Sequence, residues 1–400
     1  MEIQVPAPVE QIIEQLNCCG YEACAVGGCV RDSLLGRTPG DWDITTSAHP
    51  NQVKALFRRT VDTGIAHGTV TVMVDKVGYE VTTYRIDGEY EDGRHPKEVE
   101  FTPDLLQDLK RRDFTINAMA YSRKTGMVDA FGGMEDLKAG VIRCVGNPID
   151  RFTEDALRIL RALRFSAQLG FEIEPETYEA IKIMAPNLKQ ISRERILVEL
   201  TKLLLSEHPE RIQMVYHTGM APYISDTFGR VHLPLPVISP ELPAKKHLRW
   251  AAFLQNEAEA DAALILKQLK SDNDTINRTR ILTRFAKASL PPEKAALRRV
   301  MSQMTPELYD DLLLLKESRQ EELSQVRRLT EEIRRAGDCL SLKSLAVGGQ
   351  DLMDAGIQPG KAVGEALNCL LELVFNHPEY NEKEILIQYA LRKKPEALQQ

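Results

Sequence analysis

Asp41-Trp42-Asp43 sets two carboxylates one residue apart, nine residues after the run Gly27-Gly28-Cys29-Val30-Arg31-Asp32. On a strand, alternate side chains share a face, so Asp41 and Asp43 are expected to point the same way with Trp42 turned into the core. Neighbouring carboxylates repel at neutral pH, and a cation is the usual reason a protein keeps them together. Oxygen-only ligands with room left for phosphates favour Mg²⁺. Gly27 and Gly28 let a triphosphate approach the backbone, the start of the following helix attracts it, and Arg31 adds a charged fork. Alone, each feature is an ordinary turn or a pair of surface acids. Together they describe a site for moving nucleotidyl groups.

Three further groups extend that reading. Glu80, on the alternating run Tyr79 to Arg85, is either a third acid beside the metals or a solvent-facing strand residue. Lys110-Arg111-Arg112-Asp113 is either a solvated face or a place where Asp113 caps a helix and Arg112 reaches a ribose or phosphate. Glu154 to Phe165 reads as one helix with Ala156, Ile159, Leu160, Leu163 and Ala167 as its apolar stripe. Glu154, Asp155, Arg158 and Arg161 form its opposite face, with Arg164 at the edge. At i,i+3, Asp155 and Arg158 can touch, and their plainest role is an exposed salt bridge. The chemical alternative is base selection. A carboxylate accepts from the exocyclic amine of cytosine or adenine, a guanidinium donates to the adjoining ring atom, and the carbonyls of uracil and guanine are repelled.

The elements that must position these groups are an α/β head and a long helical remainder. Helices are predicted over Glu10 to Cys18 and Asp113 to Tyr121, and strands over Ala23 to Val26, Asp41 to Thr45, Glu98 to Thr102 and Met127 to Phe131. Thr69 to Val74 and Tyr79 to Arg85 read as a hairpin around Asp75 to Gly78. After Pro148 strand signals nearly vanish, a proline-rich loop or hinge runs from Val231 to Pro243, and Glu317 to Arg335 is a charged helical stretch. The chain has 400 residues, 43% hydrophobic and 27% charged, which is ordinary for a globular protein of two to four domains. No basic leader or run of about 18 apolar residues is seen. Seven cysteines without a metal-type pair, four of them at positions 18, 19, 24 and 29, fit a reducing cytoplasm. A net charge of −7 argues against strong indiscriminate RNA binding but leaves room for a local basic groove.

Taken in order, these motifs resemble the class II tRNA nucleotidyltransferases, the CCA-adding enzymes of the polymerase β superfamily, in their Bacillus-type form. The likeness runs over roughly residues 20 to 200: GGxVRD at Gly27 to Asp32, the metal-binding DxD at Asp41 and Asp43, RRD at Arg111 to Asp113, and EDxxR at Glu154, Asp155 and Arg158. Arg161 and Arg164 match family arginines implicated in nucleotide binding, and Ile191 to Ile196 looks like a further helical motif of the family. Asp87 to Pro96 looks like the flexible loop that CC-only relatives largely lack. No His–Asp pattern for an added phosphohydrolase domain is found.

The resemblance implies an α+β fold: a mixed-sheet head at 1–147, a helical neck with a nucleotide-selecting helix at 148–207, a helical body at 208–310 and a tRNA-binding helical tail at 311–400. It implies attack of the tRNA 3′-hydroxyl on the α-phosphate of CTP or ATP, with pyrophosphate released and no nucleic-acid template. Asp41 and Asp43 would hold two Mg²⁺ ions, with Glu80 as a third candidate acid. Gly28, Arg31, Arg112 and Asp113 would hold triphosphate and ribose, Asp155 and Arg158 would choose the base, and Arg161 and Arg164 would support the nucleotide. The partners implied are the acceptor and TΨC arms of tRNA, met by backbone and shape. Whether the chain forms a homodimer stays open. So do three other functions: an A-adding partner enzyme, a poly(A) polymerase, and a non-catalytic RNA-binding protein with a decayed head.

Overall fold

The computed structural model describes residues 3–87 and 99–392. These fall into two compact units, one running up to Leu235 together with Leu264–Asp272, the other formed by Pro236–Ala263 and the chain from Asn273 onward.

The first unit opens with α1 (Ala7–Cys18), β1 (Ala23–Val26), α2 (Gly28–Leu34), β2 (Ile44–Thr46), α3 (Pro50–Leu56) and β3 (Thr60–Gly64). It continues through β4 (Thr69–Val74), β5 (Val77–Thr83), β6 (Arg85–Asp87), β7 (Val99–Phe101), α4 (Leu105–Lys110), β8 (Ala120–Ser122), β9 (Gly126–Val128) and α5 (Gly133–Ala139). Seven strands make one mixed sheet in the order β3-β4-β5-β2-β1-β8-β9. β2 runs parallel to β5, and the other neighbours are antiparallel. The predicted hairpin is β4–β5, closed by Asp75 and Lys76, both at positive φ (49° and 68°) between the paired Val74 and Val77, the backbone a two-residue turn needs to match strand twist. The strand predicted near Glu98 is β7, paired with β6 as a separate ribbon. The flexible-loop segment lies, apart from Asp87, outside the described residues.

From α6 (Pro148–Glu154) onward helices dominate: α7 (Leu157–Leu169), α8 (Pro175–Met184) and α9 (Arg193–Leu204) follow, and short buried helical turns carry the unit on to Phe228. One late strand, Glu172–Ile173, pairs in parallel with Val141–Ile142. In the second unit, one core gathers Leu297, Tyr309, Leu313 and Ile333, and another gathers Val347, Leu352, Leu370 and Val374. The proline-rich segment holds no helix or strand, and Arg249, buried at the start of the next helix, donates to the carbonyls of Ser239, Pro240 and Pro243. Among the described residues no helix is long and apolar enough to cross a membrane.

Four local predictions need correction. The segment Asp113 to Tyr121 is not a helix. It forms a bridge from Phe114 to Cys144, a single tight turn at Thr115–Asn117, and then strand β8. Every residue from Asp113 to Ser122 is buried, and a short run buried on all sides carries no period to tell helix from strand. The strand predicted from Asp41 begins at Ile44, although the Asp43 carbonyl already accepts from the Val26 N–H at 3.0 Å; Trp42 is half-buried rather than in the core. The stretch Glu317 to Arg335 is two helices, Pro306–Glu317 and Ser324–Ala336, broken where Gln320 takes φ 63°. Glu154 to Phe165 is likewise two helices, α6 and α7. Asp155 sits between them at φ −144°, its side chain accepting the Leu157 N–H at 3.0 Å.

Candidate active site

The acidic end stands at the entry to β2. Asp43 is fixed through its backbone by Val26 while its side chain stays solvent-accessible. The parallel register pairs Ile44 with Val81, so Glu80 lies opposite Asp43 one step earlier on β5. Partial removal from water, then the Asp41 charge, push the Asp43 carboxyl up to about 6, with Glu80 adding to the shift and Arg112 opposing it. Acids crowded this way fit a divalent cation, because only a positive charge relieves the repulsion without moving the backbone. Among the described residues no set of three His, Cys, Asp or Glu side chains is gathered at metal-ligand spacing.

Behind the acids lies the glycine turn. Gly27 takes φ 81° and ψ −129°, a conformation open in practice only to glycine. A Cβ there would lie 3.0 Å from Nη1 of Arg112. Arg112 is therefore laid directly over the turn. Its Nη2 reaches the fully buried Asp108 at 3.2 Å, and Arg111 binds the same carboxylate at 2.7 Å. One carboxylate thus serves two guanidiniums and leaves a net positive charge. Burial would raise the Asp108 carboxyl, but Arg112 and Arg111 bring it below its ordinary value. Nε of Arg112 is buried without an acceptor among the described residues, the kind of donor a ligand oxygen would satisfy.

The basic end joins α2 to α7. Arg31 is buried, bound to Asp32 at 2.8 Å and donating to Oδ1 of Asn117 at 2.6 Å. Nδ2 of Asn117 donates to Oδ1 of Asp113 at 3.1 Å, and Arg161 holds the other Asp113 oxygen at 2.6 Å. Burial would raise the Asp113 carboxyl; Arg161, Arg158 and the Asn117 amide outweigh it and hold the group far below its usual range. Arg164 is buried against Glu199 and bonds Gln168 at 2.7 Å.

The expected contact between Asp155 and Arg158 is replaced by two others. Arg195 of α9 binds Asp155 at 2.7 Å, and Glu154 binds Arg158 at 2.6 Å. Arg158 also donates to the Arg111 carbonyl at 2.9 Å. The helix break explains this: with Asp155 outside α7, an i,i+3 contact along one helix is not available. Nor is this face solvated, since Arg158 and Arg164 are both buried.

The structure therefore gathers Asp41, Asp43 and Glu80 at one end, Gly28, Arg31 and Arg112 at the turn, and Asp113, Arg161 and Arg164 in one linked network, with Asp155 and Arg158 beside it. Sequence reasoning passed over Asp108, Asn117, Phe165 and Glu199, and gave Arg195 no task. Asp108 carried a signal, standing three and four residues before Arg111 and Arg112 on a helix. For the others the deciding partner is distant in sequence: Arg31 for Asn117 and Phe165, Arg164 for Glu199 and Asp155 for Arg195.

Comparison with known proteins places this geometry. Residues 23–143 match the family model for the poly A polymerase head domain, residues 170–226 the model "Probable RNA and SrmB-binding site of polymerase A", and residues 243–390 the model for tRNA nucleotidyltransferase domain 2. The CCA-adding enzyme of Ligilactobacillus salivarius is 38% identical over 395 residues, covering 95% of this chain and 94% of that one. That of Levilactobacillus brevis is 39% identical over 397 residues, covering 96% and 97%. The chain belongs to the CCA-adding enzyme family. The crystal structure of the Bacillus stearothermophilus CCA-adding enzyme in complex with CTP superposes with a TM-score of 0.83 at 33% identity, over 97% of this chain and 98% of that one. The chain is thus a tRNA nucleotidyltransferase by family, with the mixed-sheet head and helical remainder of a CCA-adding enzyme. The first two models bear the name of poly A polymerase or polymerase A; full-length likeness to CCA-adding enzymes makes the distinction. Asp155, Arg158, Arg161 and Arg164 fall between the first and second matched regions.

Proposed function

We propose that this chain adds C, C and A to the 3′ end of tRNA, using CTP and ATP and releasing pyrophosphate. Likeness to CCA-adding enzymes along nearly its whole length carries the reading; the crowded acids beside a cationic glycine turn support it. Asp41 and Asp43 are the metal ligands, and Mg²⁺ is the ion that best suits an oxygen pair completed by phosphates. When bound, the ions lower the pKa of the attacking hydroxyl and offset charge on the leaving pyrophosphate. Arg112 offers its unpartnered Nε to phosphate or ribose, Gly28 lets the triphosphate close on the backbone, and Arg31 and Arg161, backed by Arg164, supply a fixed positive field. Asp113 holds Arg161 in place. Asp155 accepts the exocyclic amine of cytosine or adenine, and Arg158 donates to the neighbouring ring atom. Both must turn from their present partners, Arg195 and Glu154, to meet a base. Residues 1–147 carry the chemistry, 148–207 choose the nucleotide, and the helices of 208–310 and 311–400 hold the acceptor and TΨC arms.

The decisive assay offers tRNA lacking CCA, and tRNA ending in C or CC, with CTP and ATP separately and together. Full extension of the shortest primer by exactly three nucleotides is expected. Extension of the CC-ending primer alone would make this an A-adding enzyme, and long A tracts would make it a poly(A) polymerase. Asp155→Ala is expected to raise UTP and GTP incorporation about 10- to 100-fold relative to CTP and ATP, the worth of one or two mispaired polar groups, with tRNA affinity little changed. Unaltered rejection of UTP and GTP would remove Asp155 from base selection.

A further inference from the structure

One aromatic ring sits where the cations of two separate elements meet. Phe165 of α7 is 5% exposed and packs edge-on against Phe114, ring centres 5.8 Å apart. Three guanidiniums surround it: Arg164 at 3.8 Å, Arg31 at 4.9 Å and Arg161 at 5.3 Å from the ring centroid. Arg161 and Arg164 belong to its own helix, but Arg31 comes from α2, beyond the glycine turn. Like charges gathered this closely repel, and the electron-rich ring face offsets part of that repulsion. The amide of Asn117 provides the second link. Its oxygen accepts from Arg31 at 2.6 Å and its nitrogen donates to Asp113 at 3.1 Å, and Asp113 grips Arg161. The amide accepts on one side and donates on the other at once. A carboxylate at 117 would face the Asp113 carboxylate, and an apolar residue would break the chain at both ends.

We propose that Phe165 and Asn117 are positioning residues for nucleotide binding, clamping Arg31 of the glycine-turn helix and Arg161 of the neck helix into a single constellation that receives the triphosphate of CTP and ATP alike. Neither residue touches the nucleotide. Both act through the arginines, so the inference rests on the reading of Arg31 and Arg161 as nucleotide-binding. Because the triphosphate is common to both substrates, loss of the clamp weakens both equally and leaves base choice intact.

The test is steady-state kinetics of the full chain at saturating tRNA, with CTP and ATP varied separately. Phe165→Leu keeps the apolar bulk and removes the ring face. It is expected to raise KM for CTP and for ATP by a similar factor, about tenfold, with kcat, tRNA affinity and the ratio of correct to UTP and GTP incorporation within about twofold. Phe165→Tyr keeps the ring and is expected to restore KM to within about threefold. Asn117→Ala is expected to match Phe165→Leu, and Asn117→Asp to be worse than Asn117→Ala. Because Phe165 and Asn117 are buried, Asn117→Ser serves as the milder substitution should a variant fail to fold. Arg161→Ala is run beside them. If it raises the nucleotide KM while the Phe165 and Asn117 variants do not, the clamp is wrong and the reading of the arginines stands. If Arg161→Ala and Arg31→Ala leave KM unchanged, the reading of the arginines fails and the clamp falls with it. A rise in KM for one nucleotide only, or an equal fall in tRNA affinity, would also overturn the clamp.

Discussion

At one end of the site, the side chains of Asp41, Asp43 and Glu80 are exposed and make no hydrogen bond or ion pair with another described residue. At the other, Asp113, Arg31, Arg161 and Arg164 are each tied to specific partners, and most are buried. The acidic end is left incomplete in the protein itself, so that an ion and a substrate finish it. The basic end is finished before any substrate arrives, its cations oriented by Asp32, Asp113, Glu199 and Phe165. Preorganised charge needs no rearrangement when the reaction begins, and crowded acids gain most when a cation binds. The two ends should therefore respond to mutation in opposite ways, one in rate and the other in stability.

The largest separation is expected from Asp41→Ala. Single-turnover extension should fall at least a thousandfold, about 4 kcal/mol of transition-state stabilisation. Thermal or urea unfolding should change by no more than about 0.5 kcal/mol, because no hydrogen bond or ion pair with a described residue is lost. Near-normal turnover would end the metal assignment. Asp113→Asn should do the reverse, lowering stability by about 2–3 kcal/mol by leaving the Arg161 charge unbalanced. The linkage has a definite sign. The folded Asp113 carboxyl titrates below its ordinary 3.8, as does Asp108, so their contribution to stability is full above about pH 4 and is lost as pH falls further. Urea unfolding between pH 5 and pH 3 should show a weaker pH dependence in Asp113→Asn than in the parent chain. A parallel pair of curves would contradict the native-state assignment of Asp113.

A smaller effect should come from the turn that joins the two ends. Gly27→Ala places a methyl group 3.0 Å from Arg112 and imposes φ 81° on an L-residue, which should cost about 1–2 kcal/mol of stability and raise nucleotide KM by roughly tenfold. Gly28 is not at positive φ, and its Cβ would meet Arg31 at an ordinary 3.8 Å. Gly28→Ala should leave unfolding within about 0.5 kcal/mol. Equal destabilisation by both substitutions would show that the turn does not depend on the placement of Arg112.

What the sequence disclosed follows the same division. Asp41, Asp43, Gly27, Gly28 and Arg31 lie within 17 residues, and their spacing alone brought them together. The strand Ala23 to Val26 and the β4–β5 hairpin were legible because alternation and turn residues are local signals. The basic network was not, because its links span 86 residues from Arg31 to Asn117, 48 from Asp113 to Arg161 and 35 from Arg164 to Glu199. The break at Asp155 was hidden for a related reason. Helical periodicity continues through Glu154 to Phe165, yet the backbone departs from it at Asp155, whose side chain accepts the Leu157 N–H and binds Arg195, 40 residues away. Periodicity reports which faces are apolar, not whether a polar partner elsewhere has interrupted the ladder.

The finest probe of the acidic end is Glu80, which faces Asp43 across the β2–β5 register without a hydrogen-bond or ion-pair partner among the described residues. As an exposed charge beside the pair, its influence passes through a high effective dielectric and is worth about 1 kcal/mol or less. Glu80→Gln should therefore shift half-saturation by Mg²⁺ upward about two- to fivefold and leave the rate at saturating Mg²⁺ within about threefold. The direction is fixed, because removing a negative charge weakens attraction for a cation. A direct metal ligand would behave differently. Its loss would lower the saturated rate by a factor nearer to that of Asp41→Ala, and added Mg²⁺ would not restore it. A Mg²⁺ titration of single-turnover extension separates the two cases. A drop of more than about a hundredfold at saturation would move Glu80 from a neighbour that tunes the pair to a member of it, and the acidic end would then be a triad set by the register of two parallel strands rather than a pair at the mouth of one.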